Sequence, residues 1–442
     1  MTALTILVLP APALAQDASG AAGAPGASGV SGVHTNSAAQ VEFGSEIRFQ
    51  LQATSEQPIS SVLFLYQVDD SSVQNTGVPT YQPGTSVVAN YIWRVATVLV
   101  PGTEIRYQWE LVTADGRRQT TQEQTVVYND TRFAWREVRG DQVTVYMPQG
   151  DASAGQALLD EAARMQERLR RDYGLTLDKP LRIYAYTRAE DYTSALYTGQ
   201  PLEASMTVGA DRIFVLARGG TSGLTPVLQG LRREMATAMF HQKTGNAYAP
   251  PPQWLAFGFS IVISGEELPP DTMQALKQLA DANRLLPLRT LGGNFPNNER
   301  DYNLAQVESV AAVQYIASAY GAEKLRALLA AFKEGNTADD ALKKSLGVSL
   351  EQFETRWKNA LKSGTISRPA PAQPGVAGAQ PGGDGGLVDR MFGPALRYWQ
   401  GVFGQYTQPV LFGVIGLVTL GVVALVVGTG VSLWRKGRAE DY

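Results

Sequence analysis

The sequence predicts a multidomain chain: a β-sandwich of immunoglobulin or fibronectin type III character, then an α+β domain with a helical C-terminal lobe, then a single transmembrane helix. Three observations carry this. Residues 33–130 alternate polar and apolar with period two, apolar residues recur at helical spacing from residue 153 onward, and residues 410–434 form one uncharged apolar run. A length of 442 residues fits two or three folded units, and 44% hydrophobic against 18% charged residues suffices for real cores. The formal net charge of -3 offers no electrostatic basis for a nucleic-acid partner. Absence of cysteine excludes disulfides, thiolate metal sites and a cysteine nucleophile. Only two histidines occur, His34 and His241.

In chain order, residues 1–15 read as a signal peptide. Ala13, Leu14 and Ala15 form the small-x-small pattern of a cleavage site before Gln16, although the usual basic n-region is missing. The alternative is a hydrophobic N-terminus without defined structure. Residues 16–32 are rich in Gly, Ala and Ser and read as a linker. The sandwich, residues 33–130, rests on alternation through Glu46, Ile47, Arg48, Phe49, Gln50 and Leu51, and again from Glu104 to Leu111. Denser runs at 62–68 and 87–100 add strands, and Asp115-Gly116 marks a hairpin into a strand at 120–128. Tyr107 and Trp109 are expected in its core.

Residues 131–362 form the α+β domain. Leu158, Ala162, Met165 and Leu169 mark a helix at 153–173, followed by a strand at 180–186 and a short helix at 189–196. A strand at 207–217 carries a turn at Gly209, Ala210 and Asp211, and Leu224, Val227, Leu231, Met235 and Ala238 stripe a helix at 224–242. Helices follow at 252–264, 270–283, 303–320, 322–333, 338–346 and 349–362. Residues 363–386 are a Pro/Gly-rich spacer, and 387–408 an amphipathic juxtamembrane segment carrying Trp399 and Phe403. The span at 409–434 is long enough to cross a bilayer. Arg435, Lys436 and Arg438 then place the tail, 435–442, in the cytoplasm and the domains outside it.

The stretch from Leu231 carries Arg232, Arg233, Glu234, Thr237, Phe240, His241 and Gln242, then Pro252, Trp254, Leu255, Phe257 and Gly258. With its surroundings, from about residue 133 to 361, it resembles the peptidase-MA-like, gluzincin-type metallopeptidase domain. That family carries H-E-x-x-H on a helix and a later W-L-x-E-G segment. Two histidines one turn apart bind zinc, the intervening glutamate activates the metal-bound water, and the later glutamate is the third ligand. A sandwich ahead of the domain and a C-terminal anchor also resemble extracytoplasmic, membrane-anchored members.

Position by position, the resemblance puts Arg233 where the first histidine stands, keeps the general-base glutamate as Glu234, and puts Thr237 at the second histidine and Phe257 at the third ligand. Arginine presents donors only and stays protonated, so it cannot ligate a cation. Threonine is a poor zinc ligand and phenylalanine is none. The metal motif is degenerate, and neither a metal nor another cofactor is expected. A relocated site built on His241 and Glu234 falls short of three protein ligands. His241 reads more simply as a helix-end residue bonded to backbone.

Glu234 admits two readings: a relic base in a peptide-binding groove, or a part-buried carboxylate with a new structural partner such as Arg232 or Arg233. No G-x-S-x-G turn supports serine hydrolysis, and Glu190-Asp191 and Asp339-Asp340 read as helix-end charges. The resulting expectation is a membrane-anchored pseudo-metallopeptidase, not an enzyme, that binds a peptide or surface protein. Its cleft would hold Glu234, His241, Trp254, Ile213 and Val215, with the strand near Ile213 offering its edge to an extended peptide. The alternatives are an active hydrolase with unrecognised ligands and a structural cell-envelope protein.

Overall fold

The computed structural model describes residues 28–366 apart from 31, 96–98, 149–151, 197–204, 219–223 and 247–248. The expected signal peptide, spacer, juxtamembrane segment, membrane span and tail lie outside the described residues, as does most of the first linker. Among the described residues, no helix is long and apolar enough to cross a membrane. The chain divides into two units, one ending at Phe133 and the other beginning at Ala134.

The first unit is β-rich. It comprises β1 (Ser28–Val30), β2 (Val33–Glu42), β3 (Glu46–Val68), β4 (Asn75–Gly77), β5 (Gly84–Arg94), β6 (Thr103–Thr113), β7 (Arg118–Thr120) and β8 (Gln124–Tyr128). Strand β1 arises within the stretch read as a linker and pairs antiparallel with the start of β2. The two strands expected at 46–51 and 62–68 are a single bent strand, β3. Its first half pairs with β2 and β5, its second half with β4 and β6, and the register slips between Thr54 and Ile59.

On a straight strand residues 49 and 64 would lie about 50 Å apart. The Phe49 and Phe64 rings instead approach to 4.6 Å, so β3 doubles back and its halves face each other across the core. Trp109 and Tyr107 are buried there, and the Trp109 indole N–H donates to Ser37 Oγ at 2.9 Å. Asp115-Gly116 makes the expected turn, with Gly116 at φ 82°. The strand expected at 120–128 is split into β7 and β8. At the break, Thr121 leaves the ladder to hold the Trp109 backbone through its N–H and its hydroxyl.

The second unit builds a five-stranded sheet from β9 (Trp135–Arg139), β10 (Val143–Pro148), β11 (Leu181–Tyr186), β12 (Ser205–Val208) and β13 (Arg212–Leu216), in the order β12-β13-β11-β10-β9. The inner strands β10, β11 and β13 are parallel, and the edges β9 and β12 antiparallel. Strands β9 and β10 are additional to the expected elements, and β9 has no buried residue to show a period. One sheet face, carrying Val145, Ile183 and Ile213, joins α1 (Ala152–Tyr173) and α3 (Leu224–Thr244) in a common core; α2 (Ala189–Leu196) follows β11. The apolar stripe of α1 (Leu158, Ala162, Met165, Leu169) is fully buried as its spacing requires.

The C-terminal lobe is helical: α4 (Gln253–Ser264), α5 (Pro270–Asp281), α6 (Glu299–Tyr315), α7 (Gly321–Lys333), α8 (Ala338–Leu346) and α9 (Leu350–Ser363). The helix expected at 303–320 loosens into a π-helical turn, Ile316–Tyr320, before Gly321. Helices α4 and α6 cross at Gly258, where a Cβ would sit 2.2 Å from the Ser309 carbonyl oxygen. Helix α9 starts with a capping box in which Ser349 and Gln352 satisfy each other's backbone N–H.

Candidate functional site

Helix α3 carries the three consecutive turns on which the motif lies. Arg233 and Glu234 are adjacent in sequence and point to different partners, as helical geometry demands. The Arg233 guanidinium pairs with Glu266, Nε to Oε1 at 3.0 Å, with side chains only 11% and 9% exposed. Glu266 follows the left-handed Gly265 that ends α4. It also accepts from Ser264 Oγ at 3.2 Å and Gln229 Nε2 at 3.3 Å. Arg232 turns the other way, its Nε 3.5 Å from Glu161 on α1.

Glu234 reaches the edge strand. Ser205 Oγ donates to its Oε1 at 3.3 Å, and Thr207 Oγ1 lies 2.7 Å from Oε2 and 2.9 Å from the Glu234 main-chain oxygen. Burial of the carboxylate raises its pKa; the Thr207 hydroxyl, the Arg233 charge and Ser205 pull in the opposite direction without cancelling it. The new hydrogen-bond partner of this carboxylate is therefore strand β12, and the Arg233 charge acts on it as well.

The Thr237 hydroxyl donates back to the Arg233 carbonyl at 3.1 Å. The Phe257 ring packs edge-on against Phe295, centroids 5.8 Å apart. His241 is exposed, its Nδ1 2.7 Å from the Gly209 carbonyl oxygen in the β12–β13 turn. This is the backbone contact that its place at a helix end suggests.

Three of the residues expected to line the cleft are interior. Trp254 is buried and stacks on Phe353 at 5.9 Å, and Ile213 and Val215 are fully buried in the core. Strand β13 lies between β11 and β12, so among the described strands the sheet edge belongs to β12 and not to the strand at Ile213. Ser205, Thr207, Gly230 and Glu266 are additional residues of the site. A weak signal for two of them exists in the sequence, since positions 205 and 207 of a strand share one face.

At the positions that the resemblance sets against the family's zinc ligands, the residue types do not fit the ion. A guanidinium offers only donors, Thr237 is engaged with its own helix, and Phe257 has no ligating atom. Among the described residues, no three His, Asp or Glu side chains converge in a way that could hold a metal ion.

Residues 161–363 match the model of the Peptidase MA superfamily. Among solved structures, a mutant M1 zinc metallopeptidase from Deinococcus radiodurans is similar at 12% identity and a TM-score of 0.33, covering 71% of this chain and 89% of that one. Its complex with a Tyr-Ser-Ala substrate gives 12%, 0.33, 71% and 90%. Aminopeptidase A of Legionella pneumophila, in complex with aspartic acid, is similar at 11% identity and a TM-score of 0.34 over 71% of this chain and 47% of its own. No curated protein matches the chain.

Proposed function

We propose, on the premise that residues 161–363 form a peptidase MA-like, gluzincin-type domain, that this chain is a membrane-anchored, extracytoplasmic pseudo-metallopeptidase that binds peptide or surface protein without cleaving it. The observation that carries the reading is the ion pair at the first-ligand position. Arg233 and Glu266 meet at 3.0 Å with little exposure. Such a pair puts a fixed cation where a zinc ion would need a neutral imidazole, and removing either partner strands a buried charge.

A binding role is supported by β12, whose far side is a sheet edge among the described strands. An extended peptide can add to an edge strand by backbone pairing, which requires no metal. Met206 and Val208 then present apolar side chains on the face opposite Ser205 and Thr207, favouring apolar residues at alternate positions of a ligand. In this reading the β-rich unit has immunoglobulin or fibronectin type III character, and residues 409–434 span the membrane.

The test is the metal content of the purified chain, by elemental mass spectrometry after equilibration with zinc, alongside a peptide-library cleavage assay with and without chelator. Substoichiometric zinc and no chelator-sensitive cleavage are expected. Stoichiometric zinc that disappears in a Glu234→Gln, His241→Ala double variant, together with cleavage, would replace this reading with that of an active peptidase.

A further inference from the structure

We propose that Glu234 serves as a positioning residue that latches the sheet's edge strand onto helix α3. Strand β12 is four residues long and, among the described strands, pairs with the sheet only through β13. A strand this short has little backbone pairing to hold its shape. Helix α3 supplies the rest at three levels. At the first, Gly230 lets Ser205 approach, because a Cβ there would lie 2.5 Å from Ser205 Oγ.

One turn on, the two Glu234 carboxylate oxygens are approached by the Ser205 and Thr207 hydroxyls at 3.3 and 2.7 Å. Two turns further, His241 Nδ1 lies 2.7 Å from Gly209 O and Gln242 Nε2 donates to Ala210 O at 2.8 Å. The spacings agree. Helix residues 230–234 rise about 6 Å, and strand residues 205–207 about 7 Å, after which the β12–β13 turn meets the helix at His241 and Gln242. The strand therefore runs alongside the helix and meets it at successive turns.

Glu234 is the central contact of this run and joins two strand residues to one side chain. A general base must keep a carboxylate oxygen for the water it activates. Here one oxygen accepts from each hydroxyl. The consequence for function, which rests on reading β12 as the strand that receives a peptide, is pre-organisation. The edge is held extended and in register before any ligand arrives, so less ordering remains to be done on binding.

The test is amide hydrogen exchange on the full chain, comparing β12 amides that pair with β13 against those of β10 and β11. Glu234→Ala is expected to speed exchange in β12 by about tenfold or more relative to the inner strands. Glu234→Gln keeps a side-chain oxygen acceptor and should retain much of the protection, whereas a general base would lose its role in either variant. Thr207→Val tests the same contact from the strand side, should Glu234→Ala not fold. Unchanged β12 exchange in Glu234→Ala and Thr207→Val, or equal acceleration in β10 and β11, would overturn the latch. Zinc content does not enter this measurement, so the function proposed above can fail while the latch stands.

Discussion

At the scale of single residues, buried charge governs the second unit. Arg233 and Glu266 neutralise each other, while Glu308 on α6 has no such counter-ion within hydrogen-bond reach among the described residues. Its Oε1 accepts the Leu286 backbone N–H at 3.0 Å, and its Oε2 is buried without a partner. Burial pushes its pKa up to about 8, with Lys358 pulling down and Glu354 and Asp301 adding to the rise. A carboxyl raised in the folded state favours folding while both states are protonated. That contribution is lost as pH climbs from the ordinary glutamate range through the folded value. The Glu308→Gln variant is therefore expected to match the parent near pH 4 and to gain on the order of a few kcal/mol by pH 8. Urea unfolding at the two pH values checks this, and an equal gain at both would refute it.

At the scale of elements, close approach decides what each position tolerates. Helix α4 has no side-chain cap at its N-terminus; the Gln253 and Trp254 N–H groups bond instead to the carbonyls of Gly292 and Leu291. Further along, Gly258 lets α4 meet the backbone of α6. Glycine at position 258 of this chain is thus explained by packing. Gly258→Ala drives a methyl into backbone that cannot rotate away, and a loss of about 2–3 kcal/mol is expected. Gly293, with nothing within 4 Å of a built Cβ, is the control. Its alanine variant should stay within about 0.5 kcal/mol of the parent. Thermal unfolding of both variants separates the cases, and equal losses would show that the crossing is not the cause.

At the scale of the whole molecule, the two units have separate hydrophobic cores. One is centred on the tilted and edge-to-face rings of Phe49, Phe64, Tyr107 and Trp109, the other runs from the sheet of β10, β11 and β13 into the helical lobe. The proposed membrane attachment belongs to this scale, because it rests on a segment outside the described residues. If residues 409–434 anchor the chain, the full chain sediments with membranes and is released only by detergent. A chain ending at Gly386 then remains in the soluble fraction. Sedimentation of that shorter chain to the same extent would remove the case for the anchor.

Much of this architecture is readable in the sequence, since the periods of 3.6 and 2 are local properties of neighbouring residues. The stripe from Leu224 to Ala238, the β12–β13 turn at Gly209 and the helices of the C-terminal lobe follow from them. The chemistry at Arg233, Thr237 and Phe257 is equally plain, because a guanidinium or a phenyl ring lacks lone pairs for zinc in any fold. Partners are another matter. That Arg233 meets Glu266 and Glu234 meets Ser205 and Thr207 depends on how α3 lies against α4 and β12. That Trp254, Ile213 and Val215 are interior depends on strand order and helix packing. Side-chain type and period are set by the local chain. Which charges pair and which edge stays open are set by contacts between distant segments, and these form only when the cores close.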